Sequence, residues 1–398
     1  MKSALKPADH LIPGLRRLRR PAETATPEFD LTYFRTGPPS NTPILVIPGG
    51  PGLASGLPYR GLRRRAARRG LDLLMVEHRG VGFSRKDIRG GVLPGSAMTV
   101  GAVLADLQAV MTAEGIDQVI VYGSSYGSYL AGGLGVQYPQ RVHSMVLDSP
   151  ITSGQDPIFE RANLREVLWE GKTPGTPALA AKVREICAGS VPDTRTVVVL
   201  RAAFELGGPD LALSVADAHL KGRGKTAWSL LNAYAGRENS SGHGWRFLYE
   251  FDVVATLAFR ELNYGPVPDG APLDTALVYA SSAGQYPEFS GEPYDLNDHY
   301  RDFSWPTLVV SGEYDLRTPP PVARRITQLL PAATEIDLPV GHSILEAHPD
   351  AAVHIMERAH RGELNSPDMS RDSPRWGSPR GATASLTRAV TLAARLLP

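Results

Sequence analysis

The chain has 398 residues, a formal net charge of +1 and a single cysteine. A charge so near neutral argues against nucleic acid as the main partner, and one cysteine excludes an intramolecular disulfide framework. The apolar share of 42 % is that of a globular protein, and no run approaches the roughly eighteen apolar residues of a membrane-spanning helix. Charge and proline interrupt the first twenty residues, so no secretory leader is expected. The expected location is the cytoplasm, with no membrane partner.

Two arginine clusters, residues 16–20 and 60–69, read as solvated helix faces or an arginine-rich background. Residues 43–47 (Pro-Ile-Leu-Val-Ile) form the first predicted strand and run into Pro48-Gly-Gly-Pro-Gly52. A second strand over 71–76 ends at Glu77-His-Arg-Gly-Val-Gly-Phe-Ser84. Val100, Val103, Leu104, Leu107, Val110 and Met111 fall at helical spacing behind Thr99, a suitable N-cap. Residues 117–122 are a short β-branched strand that stops at Gly123-Ser-Ser-Tyr-Gly127; a helix over 126–138 follows, ended by Pro139. Another strand, 143–147, leads to Asp148. This alternation predicts an α/β fold with a mostly parallel central sheet flanked by helices.

From 151 the strand signals fade. Helices are predicted over 160–169, 177–188, 196–206, 214–220, 227–235 and 250–263, and 264–304 reads as loop with room for one helix. Residues 151–304 are therefore expected to be an inserted helical cap on a core made of 1–150 and 305–398. Cys187, on the second of these helices, reads as a packed small residue. The sheet resumes with strands at 306–310 and 334–338 around a helix marked by Val322, Ile326, Leu329 and Leu330, and a helix follows Pro349. Residues 362–381, rich in Ser, Pro, Arg and Gly, are expected to be flexible. A helix over 385–397, capped by Ser385, presents Leu386, Ala389, Val390, Ala393, Ala394 and Leu397 on one face for docking, on this core in preference to a partner.

Gly-Xaa-Ser-Xaa-Gly between a strand and a helix is the nucleophile elbow of serine hydrolases, and it places Ser125 at the turn. A serine hydroxyl needs a base, and the base an orienting acid. His342 follows the last strand and is the expected base, ahead of His78 and His143. Asp315 follows the preceding strand and is the expected acid, ahead of Asp148 and of Glu313 in the same loop. The order Ser125, Asp315, His342 is that of α/β-hydrolases. The oxyanion donors are expected to be the N–H of Tyr126 and one from the glycine loop, Gly50 ahead of Gly49; Pro51 has none to give. His342, His348, His354 and His360 recur every six residues, which turns each through about 240° on a helix, so they share no face and no metal site is expected. No cofactor is called for.

Four blocks then resemble one family, the prolyl iminopeptidases: Pro48-Gly-Gly-Pro-Gly52, Arg79-Gly-Val-Gly-Phe-Ser84, the Gly123–Gly127 elbow with Ser144-Met-Val-Leu-Asp148, and Gly312-Glu-Tyr-Asp315 with Gly341-His342. Pro48 stands where prolyl iminopeptidases often carry histidine, and Pro-Gly-Gly-Pro-Gly is more similar to the tripeptidyl aminopeptidase branch. That branch is commonly secreted and carries several cysteines, whereas this chain has one cysteine and no leader is expected. The resemblance covers about 40–150 and 305–360. It implies a Ser-Asp-His triad on Ser125, Asp315 and His342, and acidic residues near the cap that hold the substrate's free amine, with Glu205, Glu250 and Glu261 as candidates. The expected activity is an aminopeptidase-like serine hydrolase working on a small molecule or short peptide. An esterase, thioesterase or acyl-transfer tailoring enzyme is the alternative, and a non-catalytic binding protein on this scaffold is a third reading. The oligomeric state is left open.

Overall fold

A computed structural model describes residues 12–188, 194–239, 245–369, 376 and 381–396. Among these residues eight strands form one sheet: β1 (Leu15–Arg20), β2 (Phe29–Thr36), β3 (Ile44–Ile47), β4 (Leu73–Val76), β5 (Val119–Ser124), β6 (Val142–Asp148), β7 (Thr307–Gly312) and β8 (Ala333–Leu338). Their order is β1-β2-β4-β3-β5-β6-β7-β8. The pairs β1/β2 and β2/β4 are antiparallel and the other five are parallel. β3, β4, β5 and β7 are buried along their whole length, as strands covered on both faces must be.

The first arginine cluster is not a helix face. It is the edge strand β1, whose arginines meet acids on neighbouring elements: Arg19 with Glu28 and Asp30, Arg16 with Glu114, and Arg20 with Asp106. Four arginines in six residues leave no two-residue apolar period to read: Leu15 and Leu18, both buried, are three apart and so face opposite sides of the sheet, and the residue that shares the Leu15 face is Arg17, also buried. The second cluster is a helix, α1 (Arg60–Arg68), with Arg63 turned inward. Arg63 is buried and donates to the carbonyls of Ser55 and Gly56.

Helices α2 (Val100–Glu114) and α3 (Tyr126–Gln137) cover the sheet. Thr99 caps α2 by accepting from Ala102 N–H at 3.0 Å, as its sequence position requires. Between β6 and β7 run α4 (Asp156–Arg165), α5 (Pro177–Ile186), α6 (Thr194–Leu220), α7 (Lys225–Asn239), α8 (Phe251–Leu262), α9 (Leu277–Ala283) and α10 (Leu296–His299). The two helices expected at 196–206 and 214–220 are one element, α6, kinked at Gly207 and Gly208 ahead of Pro209. The loop expected over 264–304 holds two short helices, α9 and α10. Leu164, Val183, Phe204 and Leu231 belong to a hydrophobic cluster separate from the sheet's two, and Cys187 is buried among them. α8 and Leu296 instead join the sheet's own core.

The chain closes with α11 (Pro320–Leu329), α12 (Ile344–Ala347), α13 (Pro349–His360) and α14 (Ala382–Leu396). Part of the segment expected to be flexible, 370–375 and 377–380, lies outside the described residues. Leu364 and Met369 do not fit that expectation: both are buried in the hydrophobic cluster on the face of the sheet covered by α1 and α13, with Trp376 packed against it. α14 begins three residues before Ser385, whose hydroxyl donates back to the Gly381 carbonyl instead of capping the helix. The helix docks in cis: Val390, Ala393 and Ala394 are buried in the cluster built by α4 to α7, and Thr387 donates to the Leu206 carbonyl at 3.2 Å. Ala389, expected on the docking face, is exposed, and Leu397 lies outside the described residues.

Candidate active site

Ser125, Asp315 and His342 follow β5, β7 and β8, all at the carboxyl edge of the parallel strands, where open α/β sheets place their ligands. The elbow is strained as its motif requires. Ser125 has φ 53° and ψ −123°, a region that non-glycine residues rarely enter. The glycines on either side are steric necessities. A Cβ on Gly123 would lie 2.3 Å from the Gly127 carbonyl oxygen, and one on Gly127 would lie 2.0 Å from that of Ile47. Ser125 N–H donates to the Asp148 carbonyl and Ser128 Oγ to the Ser125 carbonyl, which fixes the turn from both ends.

The three side chains form one hydrogen-bonded line. Ser125 Oγ lies 2.9 Å from His342 Nε2, and His342 Nδ1 lies 2.9 Å from Asp315 Oδ2. Asp315 is fully buried and also accepts from Arg317 N–H at 2.9 Å, Thr318 N–H at 3.0 Å and Thr318 Oγ1 at 2.9 Å. Burial works to raise its pKa; the charge of His342 and these bonds overcome it and hold the carboxyl below its ordinary value. Burial also works to lower the His342 pKa, and the Asp315 charge and hydrogen bond raise it past the ordinary histidine value. An ionised acid beside a histidine favours the imidazolium that forms when the base takes a proton.

Asp148, the runner-up acid, has another task. Its carboxylate accepts from Ile344 N–H, Leu345 N–H and Tyr122 OH at 2.9, 2.9 and 3.0 Å. It caps α12, directly behind His342. Ser343 N–H donates to Ser149 Oγ, and Ser343 Oγ meets Ser124 Oγ at 2.8 Å. The loop carrying His342 is thus stitched to the ends of β5, which leads into Ser125, and of its neighbour β6. Burial pushes Asp148 up to about 6. His78 is no base for Ser125: its Nε2 meets Tyr126 OH at 3.0 Å, and burial pushes it down to about 4. His143 lies on β6 itself, exposed.

Gly49 approaches the serine closely: a Cβ there would stand 3.0 Å from Ser125 Cβ and 3.6 Å from Oγ. Gly50 has φ +120° and its carbonyl accepts from Tyr264 OH at 2.8 Å. Tyr126 is the first residue of α3, so its N–H has no acceptor within the helix. Glu77, unremarked in the sequence, braces this loop by accepting from Ser55, Gly56 and Phe83 N–H groups, and burial pushes it up to about 7.

The three expected amine-holding acids part company. Glu261 accepts from Val100 N–H at 2.8 Å and pairs with Arg260. Glu250 accepts from Gly82 N–H. Only Glu205 reaches the candidate triad's loops: its carbonyl oxygen stands where a Cβ on Gly341 would fall, and its carboxylate pairs with Arg317 at 2.9 Å. Beside it, Glu160 pairs with Arg201 at 3.1 Å, and burial pushes Glu160 up to about 7. Glu160 on α4, Arg201 on α6 and Arg317 in the loop after Asp315 carry no sequence signal, because arginines and glutamates ordinarily face water. Among the described residues no group of His, Cys, Asp and Glu is arranged to hold a metal ion, and no helix is long and apolar enough to cross a membrane.

The α/β-hydrolase fold family matches residues 42–349 of this chain. The chain belongs to that family. It is 23 % identical over 329 residues to a proline iminopeptidase of Neisseria gonorrhoeae, covering 82 % of this chain and 91 % of that one. A shorter match, 36 % identical over 76 residues, links it to a tripeptidyl aminopeptidase of Streptomyces lividans, over 19 % of this chain and 14 % of that one. The solved structure of a Mycobacterium smegmatis proline iminopeptidase superposes with a TM-score of 0.50 at 17 % identity, over 87 % and 99 % of the two chains.

Proposed function

We propose that the chain is a serine hydrolase of the aminopeptidase type that works through an acyl-enzyme on a small molecule or short peptide. The observation that carries this reading is the line Ser125 Oγ, His342 Nε2/Nδ1, Asp315 Oδ2, with both contacts at 2.9 Å. Ser125 Oγ attacks the substrate carbonyl carbon while His342 Nε2 takes its proton. The oxyanion is held by the Tyr126 N–H and a glycine N–H from the 49–50 loop. His342 returns the proton to the leaving amine as the carbonyl re-forms. Water then attacks the acyl carbon as His342 takes its proton, and His342 returns that proton to Ser125 Oγ as the acyl–Oγ bond breaks and the acid leaves. Asp315 keeps the proton of neutral His342 on Nδ1 and so presents Nε2 to the serine.

In this reading the helices between β6 and β7 cap the site, residues 151–304 supply specificity, and the single cysteine fits a reducing cytoplasm. One observation favours a second reading. The carboxylates of Glu205 and Glu160 are each matched by an arginine, so these two acids carry little net charge to attract a free ammonium. An esterase or acyl-transfer enzyme needs no such attraction.

A panel of aminoacyl and tripeptidyl amides, set beside simple esters, tests the proposal. Amide cleavage that requires a free N-terminus supports it; activity confined to esters favours the second reading. Labelling by a fluorophosphonate at Ser125, lost in Ser125→Ala, is expected in both. Absence of labelling in folded protein would point to a binding protein.

A further inference from the structure

α1 carries six arginines within or at the end of its nine residues, and they divide by direction. Arg65 pairs with Asp350 and Arg69 with Glu357, both on α13. Arg63 turns inward to the Ser55 and Gly56 carbonyls. Arg60, Arg64 and Arg68 remain, exposed, at i, i+4 and i+8. Among the described residues no carboxylate pairs with any of the three. They line a cleft of about 520 Å³ whose far wall is Pro13, Gly14, Arg35, Thr36 and Gly37. Arg35 is already matched by Asp72 and Glu114. The acids around the cleft are therefore spent, and three positive charges face it unopposed.

Residues four apart on a helix rise about 6 Å and turn only about 40°, so the three guanidinium groups follow one stripe roughly 12 Å long. Like charges so placed repel one another, and a multivalent anion relieves all three at once. Guanidinium forks match phosphate oxygens bidentately. The volume suits a small molecule, since ligand clefts span roughly 300–1,000 Å³. We propose that this cleft is a binding site for a small polyphosphate, a molecule carrying two or more linked phosphates, and that Arg60, Arg64 and Arg68 hold it. The site is separate from the Ser125 line, and the proposal stands whether or not that line hydrolyses peptides.

The test is calorimetric titration of the full chain with inorganic triphosphate, ATP and orthophosphate at low and moderate salt. Triphosphate is expected to bind more tightly than orthophosphate, with affinity falling as salt rises. In the Arg60→Ala/Arg64→Ala/Arg68→Ala variant the affinity should drop about tenfold or more, as loss of charge-assisted bonds to phosphate requires. Arg65→Ala, on the same helix but paired to Asp350, should bind as the parent does. Tighter binding of ATP than of triphosphate would assign the ligand to nucleotides; equal binding would assign it to the phosphate chain alone. Either supports the site. No binding of triphosphate or ATP, or equal loss in Arg65→Ala, overturns it, and circular dichroism of each variant separates a lost site from a lost fold.

Discussion

Glu205 on α6 and Arg317, two residues beyond Asp315, are joined by a two-pronged ion pair: Arg317 Nε and Nη2 both lie within 3.1 Å of the Glu205 carboxylate. Both charges are felt by His342, the arginine lowering its pKa and the glutamate raising it, behind the larger effects of burial and Asp315. Glu205→Gln removes the raising influence and leaves the arginine unopposed. In the proposed mechanism the base must be neutral to accept the Ser125 proton, so activity is expected to rise with pH through the His342 pKa. The acidic limb of the kcat/KM profile should therefore move to lower pH in Glu205→Gln and to higher pH in Arg317→Met. The double variant should return toward the parent. Parallel loss of kcat in all three with no movement of the limb would mean that the pair only holds α6 in place.

Asp148 predicts a different signature. It serves two backbone N–H groups and one phenol behind His342, and touches none of the reacting atoms. Asp148→Ala orphans those donors in a buried setting and should cost about 2–4 kcal/mol of stability. Activity should fall with it, since the loop that aims His342 loses its anchor. Ser125→Ala should do the reverse: activity lost by several orders of magnitude, unfolding midpoint unchanged or raised as the strained turn loses no packing. Urea denaturation and turnover measured on both variants separate the two roles.

These contrasts show why part of the site was legible and part was not. The elbow could be read because its chemistry forces local sequence: only glycine fits at 123 and 127, and the flanking strand and helix are patterned by burial. That Asp315 and His342 would meet Ser125 could be read because each lies in the loop that follows a strand of the parallel sheet. β1 could not, because its edge position lets four of six residues be arginine and the partners that explain them, such as Glu114 and Asp106, lie far along the chain. The roles of Glu77, Glu160 and Arg317 have the same origin. A buried charge is recognisable only from its partner, and no spacing rule joins residues 112 positions apart, as Glu205 and Arg317 are.

Glu77 makes a prediction for stability against pH. Burial lifts its carboxyl from 4.5 to about 7 in the folded chain. The folded state then binds a proton more readily than the unfolded state between those values. The resulting stabilisation is fully present below pH 4.5 and is lost as pH rises through about 7. A shift of that size corresponds to a few kcal/mol, on the order of 3. Asp148, Asp156 and Glu160 are raised by burial as well and act in the same direction. Glu77→Gln keeps a carbonyl oxygen to accept N–H bonds and removes one titration. The parent's unfolding free energy, taken from urea curves at pH 5 and pH 8, should therefore fall more steeply than that of Glu77→Gln. Equal slopes would mean that Glu77 stays ionised among its three N–H donors.

α14 completes the hydrophobic cluster that α4 to α7 begin, and its two faces differ sharply. Val390 is fully buried there, while Leu392, two residues on, is 57 % exposed. A carboxylate at 390 would be placed among apolar side chains with no partner, whereas one at 392 would meet water. Val390→Asp should lower the unfolding midpoint strongly, by about 3 kcal/mol or more at the transition, and Leu392→Asp should leave it within about 0.5 kcal/mol. Because α6 carries Glu205 to the His342 loop, the loosening in Val390→Asp should also reach turnover, chiefly as a raised KM for whichever substrate the amide and ester panel selects. Thermal melts and steady-state kinetics on the two variants check both halves. A Val390→Asp protein that melts like the parent would mean that α14 leaves the cluster readily, and that α4 to α7 hold together without it.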